Sequence, residues 1–107
     1  MIGFHVDMNI GHFTADYLRK WLVRLSELGY DTILWEVEAA VQWKTVPECS
    51  SPEAFTADEF KDILNYCREL ALEPIPLLQT LGHCEYVLKH GSYEHLAEKD
   101  GDITQYC

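Results

Sequence analysis

The stretch "EPIPLLQTLGHCEYVLKHG", Glu73 to Gly91, passes in nineteen residues from an apolar run to a polar corner and back to an apolar patch. Pro74 opens it, and Ile75, Leu77 and Leu78 predict a short buried strand. Gln79, His83 and Glu85 follow at its carboxyl end, and Tyr86, Val87 and Leu88 form a helical patch broken at Gly91. Upstream, Phe60, Ile63, Leu64, Cys67 and Leu70 share one helical face, and T-x-x-E at Thr56 and Glu59 reads as a capping box. "TILWEVE", Thr32 to Glu38, reads as another strand. Before it, Leu18, Trp21, Leu22, Leu25 and Leu28 make an apolar helical stripe, with Thr14 as cap, Asp16 in the first turn and Gly29 as stop. "IGFHVDM", Ile2 to Met8, is the first strand. The order is β-α-β-α-β, so the chain belongs to the α/β class, with parallel strands joined by right-handed crossovers. The polar remainder predicts no fourth strand.

At 107 residues with 48% hydrophobic side chains, the sequence suits one domain with a core, residues 1–107, and no second domain. Its 18 acids against 8 Lys and Arg give a net charge of -10, which repels phosphate backbones and anionic lipid; nucleic acid and membrane are poor partners. No apolar stretch reaches the roughly 20 residues of a membrane span, and His5 and Asp7 lie where a signal peptide would be apolar. Cys49, Cys67, Cys84 and Cys107 form no C-x-x-C pair and read as free thiols. Together these features predict a cytoplasmic protein.

Ligand sites in parallel α/β proteins gather at the carboxyl ends of strands. There this sequence puts His5 and Asp7, then Glu36 and Glu38, then Gln79, His83 and Glu85. Period 2 sets His5 with Asp7, and Glu36 with Glu38, on common faces. Each has a plain reading beside a functional one. His5 and Asp7 form an ion pair or a pocket wall; Glu36 and Glu38 sit on a solvated edge or line the site, with Trp35 and Val37 filling the core. His83 caps the helix starting near Cys84 or serves chemistry, and Glu85 in that helix's first turn suits the helix dipole. Trp21 reads as core, and Trp43 as a packing plug or a sugar-stacking platform. His12, His90 and His95 read as ordinary surface residues. His5, Asp7, Glu36 and His83 are also competent metal ligands, though without ligand spacing. No dinucleotide, P-loop or nucleophile-elbow motif occurs.

"GFHVDM", "LGYDTILWEVE" and above all "PLLQTLGHCEYVLKHGSYEHLAE" resemble the first three βα units of the family 20 glycoside hydrolase barrel, most nearly its hexosaminidase D-type β-N-acetylhexosaminidases. The resemblance runs from about Gly3 to Glu98. It implies retaining hydrolysis of terminal N-acetylhexosamine by substrate assistance, the sugar's acetamido oxygen attacking the anomeric carbon, with no metal or other cofactor. It implies glycans containing N-acetylhexosamine as partners. An Asp-Glu pair after the fourth strand does the work in that family; none is expected before Cys107. His83 matches the histidine that supports those carboxylates. Asp7, Glu36, Glu38, His83, Glu85 and Trp43 are the expected substrate-binding positions. Two departures concern sugar contacts: Ile2 stands where distant members place an arginine, and Ala39 where an acid often follows E-x-E.

A complete barrel of this kind takes about 250 residues. The expected architecture is therefore a partial (β/α)8 TIM barrel, inactive alone, whose raw sheet edges invite self-association. Two other readings stand beside it: a metal-dependent barrel hydrolase or isomerase built on His5, Asp7 and His83, and a non-catalytic carbohydrate-binding or interaction module.

Overall fold

A computed structural model describes residues 1–106. Three parallel strands, β1 (Gly3–Asp7), β2 (Thr32–Glu36) and β3 (Glu73–Leu77), lie side by side in chain order. Helix α1 (Ala15–Glu27) connects the first two and α2 (Ala57–Glu69) the last two. A short helix α3 (Glu85–Leu88) and a 3-10 turn at Gly91–Leu96 follow β3. The fold is the α/β arrangement that the sequence predicts. The register aligns Asp7 with Glu36 and Glu36 with Leu77, so the strands end in one row.

Both long helices start where the sequence predicts. The Thr14 hydroxyl accepts from the Tyr17 N–H at 3.2 Å. At α2 the capping box is complete: the Thr56 hydroxyl accepts from the Glu59 N–H, and the Glu59 carboxylate accepts from the Thr56 N–H at 2.8 Å. Such a cap satisfies donors that the first helical turn leaves orphaned.

The helices cover one face of the sheet. Ile33 and Trp35 of β2 are buried there against Leu18, Leu22 and Leu25 of α1 and Ile63 and Cys67 of α2. Trp35 meets Phe60 edge-on, ring centroids 5.4 Å apart. Burial pushes the Cys67 thiol pKa up to about 11, so it behaves as a small hydrophobe. Cys49 and Cys84 are likewise free and buried, while Cys107 lies outside the described residues. The Ser26 hydroxyl donates to the Leu70 carbonyl at 2.9 Å and ties α1 to the end of α2.

Several expectations are corrected. Trp21 is not core: it is 44% exposed. At 100° per residue Leu18, Leu22 and Leu25 share a narrow arc, while Trp21 and Leu28 lie roughly 60–80° to one side of it. Trp21 stacks instead on Phe4 of β1, and Leu28 is exposed too. Leu78 is also exposed, one residue past the end of β3. Finally, β2 stops at Glu36, so Glu38 does not share a strand face with it.

Helix ends give a stability test. Gly29 follows α1 at φ +88°, the left-handed conformation that glycine adopts freely. Ala71 holds the equivalent place after α2 at φ +58°. A left-handed Ala costs roughly 1–2 kcal/mol, and glycine's looser unfolded state returns part of that, so Ala71→Gly is expected to stabilise by about 0.5 kcal/mol. Urea unfolding reads it as a higher midpoint at constant slope; a lower midpoint would refute the assignment of strain at Ala71.

Candidate functional site

Opposite the helices, the sheet's other face carries His5 and Asp7 from β1, Leu34 and Glu36 from β2, and Ile75 and Leu77 from β3, all half-buried or exposed. This face would point inward in a closed barrel. At its carboxyl end the strands converge on Glu36. One Glu36 oxygen lies 2.8 Å from His5 Nε2, and the other accepts from the Gln79 side-chain amide at 2.8 Å. The Glu36 side chain keeps only 13% exposure.

This arrangement replaces the expected His5–Asp7 ion pair. The strand twist and parallel register bring His5 to the β2 carboxylate, and Asp7 instead turns back to accept from the Asn9 N–H at 2.8 Å. That bond tightens the loop leaving β1, while the Met8 N–H donates to the Glu36 carbonyl. Downstream, His12 of this loop meets Glu53 at 3.0 Å, so it is paired as well as exposed.

Beyond β2 the chain turns sharply. Val37 is buried as expected, and Glu38 opens a 3-10 turn with φ +33°, an uncommon conformation for a residue with a Cβ. Trp43 helps to hold it there, its indole N–H donating to the Glu38 carbonyl at 2.6 Å. Trp43 also packs against both the main core and the cluster of Cys49, Tyr86 and Val87. Its packing role is therefore visible, and the residue is half-buried.

The turn places the Glu38 carboxyl among like charges. Its pKa is pushed up to about 7, first by burial and then by Glu36, Asp7 and Glu85, with His83 pulling it back. Glu38 thus forms the electrostatic centre that joins the sequence-predicted residues Asp7, Glu36, Glu85 and His83. Met8, Glu38, Glu85, Tyr86 and Lys89 line a concavity there.

His83 follows Gly82 with φ +56° and is exposed. It does not cap α3: the cap position is Cys84, with no side-chain hydrogen bond to the helix. Backbone bonds hold the corner instead, the Cys84 N–H donating to the Thr104 carbonyl at 3.2 Å. Glu85 opens α3. Sequence reasoning missed Gln79, counted as a strand-end polar residue but given no role; an amide directly after a parallel strand beside a strand-end acid was the available signal.

The metal-ligand grouping of His5, Asp7, Glu36 and His83 is not assembled. Glu36 is occupied by His5 and Gln79, Asp7 by its own loop, and among the described residues no three His, Cys, Asp or Glu side chains gather as a metal site.

No family model matches the chain. Human hexosaminidase D is 33% identical over 95 residues, 88% of this chain, and the bovine hexosaminidase D is 34% identical over the same length. The chain spans only 20% of the human relative and 28% of the bovine one. A Streptomyces plicatus β-hexosaminidase variant in complex with its product N-acetylglucosamine superposes with a TM-score of 0.81 at 15% identity, over 99% of this chain and 26% of that one. Three parallel strands with their helices thus correspond to part of the barrel of such enzymes. The sequence matches place the chain among the homologues of hexosaminidase D, and the superposition gives it the fold of part of a family 20 β-hexosaminidase.

Proposed function

We propose that this chain forms one wall of the N-acetylhexosamine pocket of a β-N-acetylhexosaminidase. The observation that carries the reading is the row of strand ends, in which Glu36 is clamped between His5 and Gln79 while Glu38 is crowded by Asp7, Glu36 and Glu85. Carboxylates in such a row accept hydrogen bonds from sugar hydroxyls, and a fixed carboxylate does so with defined direction. The hexosaminidase D homologues and the bound N-acetylglucosamine of the Streptomyces plicatus enzyme support the same substrate class.

The chemistry proposed is the substrate-assisted route. The substrate's acetamido oxygen attacks the anomeric carbon as the bond to the leaving oxygen breaks, a glutamic acid gives that oxygen its proton, and an aspartate orients the acetamide. Water then opens the cyclic intermediate, and the configuration is retained. Those two acids would not come from this chain. Its adjacent pair, Asp58 and Glu59, starts α2, and the Glu59 carboxylate is held by the Thr56 N–H and hydroxyl. We therefore expect no turnover from the 107 residues alone. His83, in the loop between β3 and α3 and within electrostatic reach of Glu38, is proposed as a positioning residue that hydrogen-bonds the catalytic carboxylates. Asp7, Glu36 and Glu85 face the sugar, and Trp43 fixes the Glu38 turn through its indole N–H.

A chimera tests this reading: the chain replaces the matching 95 residues of human hexosaminidase D. It is expected to hydrolyse an aryl N-acetyl-β-glucosaminide. His83→Ala in the chimera is expected to lower kcat on the order of 10²-fold and to displace the pH–rate limb set by the general acid. A folded chimera without hydrolysis sinks the reading; an unchanged pH profile in the variant sinks the role of His83.

Glu38 gives a separate test on the chain itself. Its folded pKa of about 7 lies above the ordinary 4.5, so the folded state holds this proton more tightly than the unfolded state does. The contribution of this group to stability is therefore complete below pH 4.5, falls as pH rises to 7, and stays at its low level above that. Glu38→Gln carries no such loss. Its stability relative to the parent should rise across that window and then level off; parallel stability–pH curves would contradict the crowding of Glu38.

A further inference from the structure

Gln79 stands just past β3, outside the ladder that joins it to β2. Its side-chain amide donates to one Glu36 oxygen at 2.8 Å, while His5 Nε2 lies 2.8 Å from the other. An ionised carboxylate can only accept, so the His5 nitrogen carries the hydrogen of that bond. Glu36, last residue of the central strand, is thus held from both sides.

A carboxylate has about four acceptor sites, two on each oxygen. The clamp fills one on each oxygen, and among the described residues no other donor reaches either. One site per oxygen is left. The side chain keeps 13% exposure and stands at the carboxyl end of its strand, where barrels bind ligands, rather than in the layers that side chains fill.

The neighbours on this face determine what those sites can receive. Asp7, Leu34, Ile75 and Leu77 include no lysine or arginine, and Asp7 is itself engaged by the Asn9 N–H. The wall therefore presents acceptors, and a sugar hydroxyl bound at Glu36 must give its hydrogen. Two acceptor sites side by side on one carboxylate suit two hydroxyls on adjacent carbons. In an N-acetylhexosamine, carbon 1 carries the bond to be broken and carbon 2 the acetamide, so the adjacent ring hydroxyls are those on carbons 3 and 4.

Resting on the pocket reading above, we propose that Gln79 is a positioning residue that, with His5, sets Glu36 to accept both the 3- and the 4-hydroxyl of the terminal N-acetylhexosamine. Without the Gln79 donor, the Glu36 carboxylate turns about its soft terminal torsion while keeping the His5 contact, and its two remaining sites no longer face adjacent hydroxyls. The strands and their register stay as they are, because no ladder bond involves Gln79.

The chimera with human hexosaminidase D tests this, using aryl N-acetyl-β-glucosaminides in which fluorine, which cannot donate, replaces the 3-, 4- or 6-hydroxyl. The 3- and 4-fluoro substrates should lose kcat/KM on the order of 10–100-fold more than the 6-fluoro substrate. Fluorine also withdraws electrons from the reacting centre, equally in every variant, so the decisive quantity is how each loss changes with Gln79. Gln79→Leu should lower kcat/KM on the unmodified substrate about tenfold and shrink the 3- and 4-fluoro losses by the same factor, leaving the 6-fluoro loss alone. Gln79→Met, of similar length and also without a donor, should do the same. Losses that stay unchanged in both variants overturn the proposal and leave the pocket reading standing. A folded chimera without hydrolysis removes the pocket reading instead. The decision then passes to 3- and 4-fluoro N-acetylglucosamine as ligands of the chain itself in ligand-observed NMR: weaker binding than the unmodified sugar, levelled by Gln79→Leu, supports the role of Gln79, whereas equal binding or none overturns it.

Discussion

Glu36 accepts from neighbours on both sides, His5 on β1 and Gln79 just past β3, and this bridge is what turns three strand ends into a site. A carboxylate at the end of a central parallel strand would otherwise swing freely or repel Glu38. With both oxygens engaged its position is fixed by the sheet itself, because the partners are set by register: Asp7 beside Glu36, Glu36 beside Leu77. A one-residue slip of either neighbour would flip His5 to the helix face or pull Gln79 out of range, and the bridge would be lost. The burial of Ile33 and Trp35 on the other face therefore positions the polar face too, since the same alternation specifies both.

The bridge also explains where strain accumulates. With Glu36 held, the chain must leave β2 in a tight turn, and the cost falls on Glu38, whose φ is +33°. The buried Val37 and the Trp43 indole bond to the Glu38 carbonyl oppose relaxation of that turn. His83 shows the same pattern after β3, at φ +56°. Of the three left-handed non-glycine residues among the described ones, two thus stand at the strand-end corner. Strain that persists in such a place is usually retained for side-chain aim.

Much of this was legible in the sequence because local physics determined it. The Thr56–Glu59 cap, the Thr14 cap and the Gly29 stop involve residues a few positions apart, and the apolar stripes needed only helical periodicity. The strand-end acids were legible as a group because parallel topology gathers strand ends. Their partners were not. His5 chooses Glu36 over Asp7 through cross-strand register, which has no trace in a spacing, and Glu38 leaves the strand face through a backbone conformation that glutamate seldom adopts. Trp21 was misread because a stripe shows that a helix side is apolar without showing how far round the cover extends.

Proline placement carries the same logic to the edge of the sheet. Pro74 and Pro76 occupy alternate positions, and that spacing puts both missing donors on one side of β3. Had they stood at 73 and 75, they would have removed the bonds to β2, the Glu73 N–H to the Asp31 carbonyl among them, and with them the register that brings Gln79 to Glu36. Their period of two therefore serves two ends at once. It leaves the β2–β3 ladder intact, on which the carboxylate bridge rests, and it makes the outer edge of β3 a one-sided surface of acceptors. Only a strand able to supply donors without receiving any can join there, whereas β1 offers the full alternation of both. The sheet is thus polar in a second sense: its two outer strands differ in hydrogen-bonding capacity on the sides turned away from β2, and the difference is written in two residues.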